Sequence, residues 1–165
     1  LATHGTAVMC LREGLAFETT IQSDTAALNP LTTLLLDRLG SDIRFLRDPT
    51  RGGLATTLNE LVAECGWGIE IEQAALPVHA QVEAACELLG LDPLYVANEG
   101  VFLAVVSPHV AAIALQLMQN HPLGKYAAII GRISDEAEPL VLLRSKIGGT
   151  RVVHMLTGSQ LPRIC

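Results

Sequence analysis

A turn with two adjacent glycines, set between a short apolar segment and an apolar helix, constrains the fold of this chain most. Ile43 to Leu46 is typical of a β-strand, and residues 48–53 read Asp-Pro-Thr-Arg-Gly-Gly. Apolar side chains then recur at helical spacing, at Leu54, Leu58, Leu61, Val62 and Cys65. Because a helix with one apolar face must bury it, this pattern predicts a helix packed on a β-sheet.

The rest of the chain continues to alternate between helices and strands. Helical spacing, or a proline at a helix start, predicts further helices over residues 7–15, 30–40, 78–89 and 108–118. Further strands are predicted over residues 68–72, 101–106, 127–133, 140–143 and 151–155. Residues 101–106 are apolar throughout, which predicts a central strand covered on both sides. We therefore predict an α+β domain with a mixed β-sheet and packed helices in three layers.

Length and composition fit one domain with a short tail. A chain of 165 residues, 50% of them hydrophobic, is long enough to bury one core. The pattern fails from Gly158, so we predict a domain over residues 1–157 and a mobile tail over residues 158–165. The chain opens at Leu1 without a methionine, and we therefore expect it to be a fragment of a longer protein.

Charge and cysteine spacing exclude several functional classes. The net charge is −6 and the basic residues are scattered, which argues against a nucleic-acid partner. The apolar stretches are far shorter than the roughly 20 residues of a membrane span. The four cysteines show no Cys-x-x-Cys spacing, so structural zinc is disfavoured and reduced thiols in the cytoplasm are expected.

The last residue, Cys165, is the candidate nucleophile. A thiol at the free end of a tail can move between sites while its backbone obstructs nothing. Arg163 would favour the thiolate, whereas the terminal carboxylate would oppose it. Taken alone, Cys165 could equally be a chance exposed cysteine.

The glycine turn offers a candidate anion or nucleotide site. Two glycines let a ligand approach the backbone, and the following helix presents free N–H groups. Asp48 could hold a metal ion or a hydroxyl. The alternative is an ordinary turn in which Asp48 or Thr50 caps the helix and Arg51 is solvated.

Two further motifs carry polar groups beside apolar segments. In Asn98-Glu99-Gly100, Glu99 precedes the predicted central strand and could accept a proton if it is desolvated, although a paired or exposed glutamate is also compatible. His4 stands next to a glycine, but a lone histidine is more often structural than catalytic. Three cysteines fall on apolar helix faces and are predicted to be core residues: Cys10, Cys65 and Cys86.

Together these motifs resemble the C-terminal domain of the HypE family of hydrogenase maturation factors, in the aminoimidazole ribonucleotide synthetase-like superfamily. The resemblance rests, in order along the chain, on residues 3–5, 48–53, 98–100, 121–125 and the Pro-Arg-Ile-Cys end at 162–165. The glycine turn is shared across that superfamily, whereas the cysteine-terminated end is specific to the family.

The resemblance implies ATP-dependent chemistry on the terminal thiol. Cys165 would receive a carbamoyl group from the carbamoyltransferase HypF, and dehydration would turn this S-carboxamide into a thiocyanate. The cyanide would pass to iron on the HypC–HypD complex for nickel–iron hydrogenase. Glu99 would be the base or its helper. The groove for nucleotide and tail would be lined by Asp48, Thr50, Arg51, Gly52, Gly53, Asn98 and His4.

The N-terminal domain of the family is not part of this sequence. By resemblance it supplies most contacts to ATP and Mg²⁺ and much of the interface of a homodimer, so the chain alone is expected to be catalytically incomplete. Two alternatives stay open. One is another ATP-using enzyme of the superfamily, such as a selenophosphate or thiamine-phosphate kinase relative. The other is a non-catalytic assembly domain that docks through its tail.

Overall fold

The computed structural model describes residues 1–12, 21–135 and 137–157. The helices are α1 (Thr3–Arg12), α2 (Asn29–Leu39), α3 (Gly53–Cys65), α4 (Ala80–Leu89) and α5 (Ala111–Gln119). The strands are β1 (Ile43–Arg47), β2 (Gly68–Glu72), β3 (Leu103–Val106), β4 (Gly131–Ser134), β5 (Val141–Arg144) and β6 (Thr150–Val152). Short turns of 3-10 helix, such as Pro93–Tyr95, connect several of them.

The strands form two sheets. The larger sheet has the order β4-β2-β5-β6, in which β2 runs parallel to β5 and the other pairs are antiparallel. The smaller sheet is the antiparallel pair of β1 and β3. Mixed strand directions with packed helices confirm the predicted α+β class.

Local sequence signals explain where the central elements begin and end. Pro30 stands in the first turn of α2, where its missing N–H costs no helical hydrogen bond. Helix α3 ends at Gly66, which adopts a left-handed conformation with φ 72° and donates its N–H to the carbonyl of Val62. The apolar face of α3 then packs on β2 and β5 in the main core, through Leu54, Leu58, Leu61, Val62, Ile69, Ile71, Val141 and Leu143.

The predicted central strand over residues 101–106 was wrong in its burial. The strand itself is Leu103–Val106, it pairs with β1, and each of its residues is half-buried. Its side chains and those of the larger sheet line a shared apolar cavity of about 1100 Å³, together with α3 and α5. An apolar run shows that a strand avoids water but does not show what covers it, and here the residues of the strand line a cavity.

Candidate functional site

The three polar motifs that lie far apart in sequence meet at the side chain of Asn98. This side chain is fully buried, and its Oδ1 accepts a hydrogen bond from the backbone N–H of Ala2 over 2.7 Å. Its Nδ2 donates to the carbonyl of Pro49 at 2.9 Å and to that of Val96 at 3.1 Å. The start of α1 with His4, the glycine turn and Glu99 are thereby held in one region.

The glycine turn presses closely on the segment that precedes Asn98. Gly53 has a φ of 61°, in the left-handed region that favours glycine, and its N–H donates to the carbonyl of Thr50 at 3.1 Å. A Cβ on Gly53 would lie 2.5 Å from the carbonyl oxygen of Leu94. Both the conformation and the close approach therefore require glycine at this position.

The start of α3 at the glycine turn differs from the capped helix start that the sequence also allowed. Within the described residues, no side chain caps the start of α3, so neither Asp48 nor Thr50 plays the capping role. Asp48 and Arg51 are exposed, and neither has an ion-pair partner among the described side chains. The hydroxyl of Thr56 is buried beside Gly52 without a hydrogen-bond partner in the described part of the chain. Asp48 and Arg51 are therefore accessible from solvent beside the turn, whereas the Thr56 hydroxyl is not.

A segment before α2 covers the region of Glu99. The carbonyl oxygen of Asp24 lies against the α-carbon of Gly100, where any side chain would collide with it. His4 Nδ1 shares a hydrogen bond of 2.8 Å with Ser23 Oγ on the same segment. Glu99 is half-buried. Asp24 lines the apolar cavity, and its Oδ1 is buried without a hydrogen-bond partner among the described residues.

Sequence reasoning missed the contribution of Ser23 and Asp24. The polar triplet Ser23-Asp24-Thr25 is typical of a turn, so nothing in it indicates a contact with Gly100, which follows much later in the chain. It also missed Ala2, whose φ of 67° is left-handed and is stabilised by the hydrogen bond to Asn98.

Cys165 and the predicted tail over residues 158–165 lie outside the described residues. The chain shortly before them is anchored at His154. The hydroxyl of Tyr95 donates to the carbonyl of His154 at 3.0 Å. Tyr95 belongs to the segment that leads into Asn98 and Glu99. Cys165 is the eleventh residue after His154, which limits the reach of the thiol to roughly 36–40 Å.

The other cysteines divide into two environments. Cys10 and Cys86 are buried as predicted, and the Thr6 hydroxyl contacts the Cys86 thiol at 3.3 Å. Burial raises the pKa of Cys86 above its ordinary value, against a smaller opposing effect of the Thr6 hydrogen bond. The prediction was wrong for Cys65, which is exposed because it is the last residue of α3 and the following chain turns away at Gly66.

No group of three or more His, Cys, Asp or Glu side chains among the described residues could hold a metal ion. None of the helices in this part of the chain has the length and apolar character needed to span a bilayer.

Comparison with known proteins gives this geometry a family context. Residues 1–142 match the family model "AIR synthase related protein, C-terminal domain". Over all 165 residues the chain is 51% identical to the carbamoyl dehydratase HypE of Cupriavidus necator and covers 47% of that protein. The chain thus spans about half the length of the curated relatives it matches.

Solved structures agree with this match. The fold is similar to that of a hydrogenase maturation protein HypE crystallised in complex with ATP, with a TM-score of 0.93 and 40% identity over 100% of this chain and 50% of the other. It is also similar to a chain in a HypE–HypF complex, with a TM-score of 0.87 and 45% identity over 92% of this chain and 49% of the other.

Proposed function

The chain belongs to the family of AIR synthase related proteins, as a C-terminal domain of that family, and from this membership we propose that it is the thiol-bearing half of a carbamoyl dehydratase of hydrogenase maturation. The observation that carries the proposal is the match to HypE proteins along the whole chain, including the cysteine-terminated end. The meeting of three polar motifs at Asn98 supports it, because it gives this half a site beside the start of the tail.

The proposed reaction turns an S-carboxamide on Cys165 into a thiocyanate. The carboxamide oxygen attacks the γ-phosphorus of ATP, ADP leaves, and one N–H proton is lost. The C–O bond then breaks, phosphate departs with the bonding electrons, and loss of the second N–H proton completes the carbon–nitrogen triple bond. The net change is removal of the elements of water, driven by conversion of ATP to ADP and phosphate.

Specific residues of this half are assigned to these steps. Glu99 is the proposed proton acceptor, since it is half-buried and its neighbour Asn98 is bonded to the glycine turn. Arg51 is free of ion pairs with the described acidic side chains and is proposed to bind the nucleotide or the departing phosphate, with Asp48, Thr50, Gly52 and Gly53 lining the same groove. His4, which is hydrogen-bonded to Ser23, is proposed to border this groove.

The proposed partners follow from the relatives. A HypE chain has been crystallised with HypF and another with ATP, so we propose HypF as carbamoyl donor and ATP as phosphoryl donor. HypC–HypD as cyanide acceptor, a homodimer of the full-length protein and a cytoplasmic location are further parts of the proposal. Mg²⁺ is proposed to bind together with ATP, mainly through the N-terminal domain of the family, as the resemblance implies.

The decisive experiment measures the mass of the C-terminal peptide. Full-length protein is incubated with HypF and its carbamoyl donor, with and without ATP. We expect a carboxamide on Cys165 without ATP and a nitrile, lighter by one water, with ATP. An unmodified Cys165 under both conditions would contradict the proposal.

Two variants separate this function from its alternatives. Cys165→Ala should abolish both modifications and hydrogenase maturation, whereas Cys65→Ala, which removes an exposed thiol elsewhere, should change neither. A domain that only docks through its tail would tolerate Cys165→Ala, and so would a kinase-like relative. We also propose that this chain alone is incomplete, so ATP hydrolysis coupled to dehydration by the isolated chain would contradict that part.

A further inference from the structure

We propose that Asn98 is a positioning residue, which holds Glu99 and the glycine turn in register and does not itself touch the nucleotide. The inference rests on the proposed function, because it concerns the site of that reaction. It revises the sequence-based prediction that places Asn98 in the lining of the groove. Its basis is the complete burial of the side chain and the partners of its amide.

The amide of Asn98 has no N–H left for a ligand. A side-chain amide has two N–H donors and one acceptor oxygen. Both donors are used within the protein, by the carbonyls of Pro49 and Val96, and the oxygen accepts from Ala2. A contact to ATP would need one of these bonds to break inside the protein, which would leave a buried polar group unpaired.

The partners of Asn98 are the segments whose relative position matters. The carbonyl of Pro49 accepts from the backbone N–H of Asn98 at 3.3 Å as well as from its side chain, so two bonds tie the glycine turn to this residue. Glu99 is the next residue along the chain. Any shift of Asn98 would therefore change the separation between Glu99 and the turn that carries Arg51.

The start of α1 depends on the same side chain. Ala2 has a φ of 67°, a left-handed conformation that an alanine adopts at a cost, and its N–H points to Asn98 Oδ1. In the first turn of α1, the N–H of Gly5 donates to the carbonyl of Ala97 at 3.1 Å. His4 lies between these two anchored residues, so its ring is placed relative to Glu99 through Asn98.

Asn59 provides a matched control within the same fold. Its Nδ2 also donates to two carbonyls, those of Ala55 at 2.8 Å and Val153 at 3.0 Å. It lies on α3 and joins that helix to Val153, the residue after β6. The hydrogen bonds described for its side chain do not reach the glycine turn or Glu99. Asn98→Asp and Asn59→Asp each keep the size of the side chain and place a second oxygen against two carbonyls.

The test compares these variants in full-length protein carrying a carboxamide on Cys165. For N98D we expect the single-turnover rate of nitrile formation at saturating ATP to fall about 100-fold, the loss typical of a displaced catalytic group. The ATP concentration for half-maximal rate should change by less than about threefold, and carbamoylation by HypF should be normal. N59D disturbs the residue before His154 but not the turn or Glu99, so its rate should fall by no more than about tenfold.

Two outcomes would overturn the inference. If N98D raises the half-maximal ATP concentration and leaves the saturated rate unchanged, Asn98 contacts the nucleotide directly. If N98D retains the saturated rate as well as the half-maximal ATP concentration, the amide of Asn98 does not position a group on which the reaction depends. Should N98D fail to fold, N98S replaces it, because a hydroxyl keeps one donor for the carbonyl of Pro49.

Amide hydrogen exchange separates this inference from the proposed function. Exchange at residues 48–53 and 98–100 should rise together in N98D and stay at the wild-type level in N59D, whatever the protein catalyses. If wild-type protein forms no nitrile, the proposed function fails and the exchange result still decides whether Asn98 joins the two segments. Unchanged exchange in N98D would contradict the inference.

Discussion

The hydroxyl of Tyr95 donates a hydrogen bond to the carbonyl oxygen of His154 over 3.0 Å. The residue before His154 is held as well, because the carbonyl of Val153 accepts from Asn59 and Val153 itself is fully buried. The chain that leads towards Cys165 therefore starts beside the segment that carries Glu99. Because Glu99 is only four residues after Tyr95, we expect a thiol with a reach of roughly 36–40 Å from this point to be able to enter the site.

Tyr95→Phe should slow dehydration without affecting carbamoylation. The variant removes the hydrogen bond to His154 but keeps the ring that packs on the core. Because a loosened starting point enlarges the volume that Cys165 samples, we expect nitrile formation in full-length protein to fall about two- to tenfold. Quenched-flow mass spectrometry of the C-terminal peptide measures this rate. Tyr126→Phe, at an exposed tyrosine, is the control, and an equal loss in both variants would contradict the role of Tyr95.

Glu99→Gln should separate the two steps of the proposed reaction. The amide keeps the size of the side chain but cannot take up a proton at neutral pH. We expect normal formation of the carboxamide on Cys165 and a fall of about 100- to 10,000-fold in its conversion to the nitrile. The same peptide masses report both steps. Glu87→Gln, at an exposed position on α4, should behave as wild type, and normal turnover by the Glu99 variant would refute the assignment.

Local patterns predicted most of the helices and strands because their signals lie in neighbouring residues. Helix α2 runs from Asn29 to Leu39, with Pro30 at its start and Gly40 just after it, as the pattern indicates. Strand β2 covers the alternating segment from Gly68 to Glu72. The signals are residue types with a strong conformational preference: Gly40 follows the end of α2, and Gly68 begins β2.

Environment could not be read from the same patterns. Cys65 shares a helix face with buried leucines, but it is exposed at the end of α3 in the part of the chain that the structure describes. The candidate site was predicted as separate motifs, and its assembly depends on Asn98 and Ala2, which are 96 residues apart. The spacing of neighbouring residues in the sequence does not indicate a hydrogen bond between positions so far apart.

Gly53→Ala should destabilise the chain far more than the same change at Gly66. Both glycines are left-handed, with φ 61° and 72°, so alanine is strained at either position by about 1–2 kcal/mol. At Gly53 the new Cβ would also approach the carbonyl of Leu94 to 2.5 Å, whereas at Gly66 no atom of the described residues would lie within 4 Å of it. We expect the free energy of unfolding to fall by about 3–5 kcal/mol for Gly53→Ala and by about 1 kcal/mol for Gly66→Ala. Urea unfolding measures both, and equal losses would show that the close approach is relieved at little cost.

Native-state alkylation should distinguish the three cysteines of the described helices. Cys65 is exposed, whereas Cys10 and Cys86 are buried, so with iodoacetamide near pH 8 we expect Cys65 to react at least about 100-fold faster than either.

Burial also raises the pKa of the Cys86 thiol in the folded state. The contribution of the Cys86 thiol to the free energy of unfolding is therefore present below the ordinary thiol pKa of about 8.5. It is lost as the pH rises through the higher pKa of the folded state.

The alkaline loss of stability should be smaller once the Cys86 thiol is removed. Cys86→Ala lowers the free energy of unfolding at neutral pH, because a buried side chain is truncated. Between about pH 8 and pH 10, however, the free energy of unfolding of this variant should decline less steeply than that of the wild type, since no thiol ionises on unfolding at this position. Urea unfolding at several pH values compares the two slopes. Cys65→Ala, at an exposed thiol, should keep the wild-type slope, and a Cys86→Ala slope equal to both would show that burial of Cys86 does not control its ionisation.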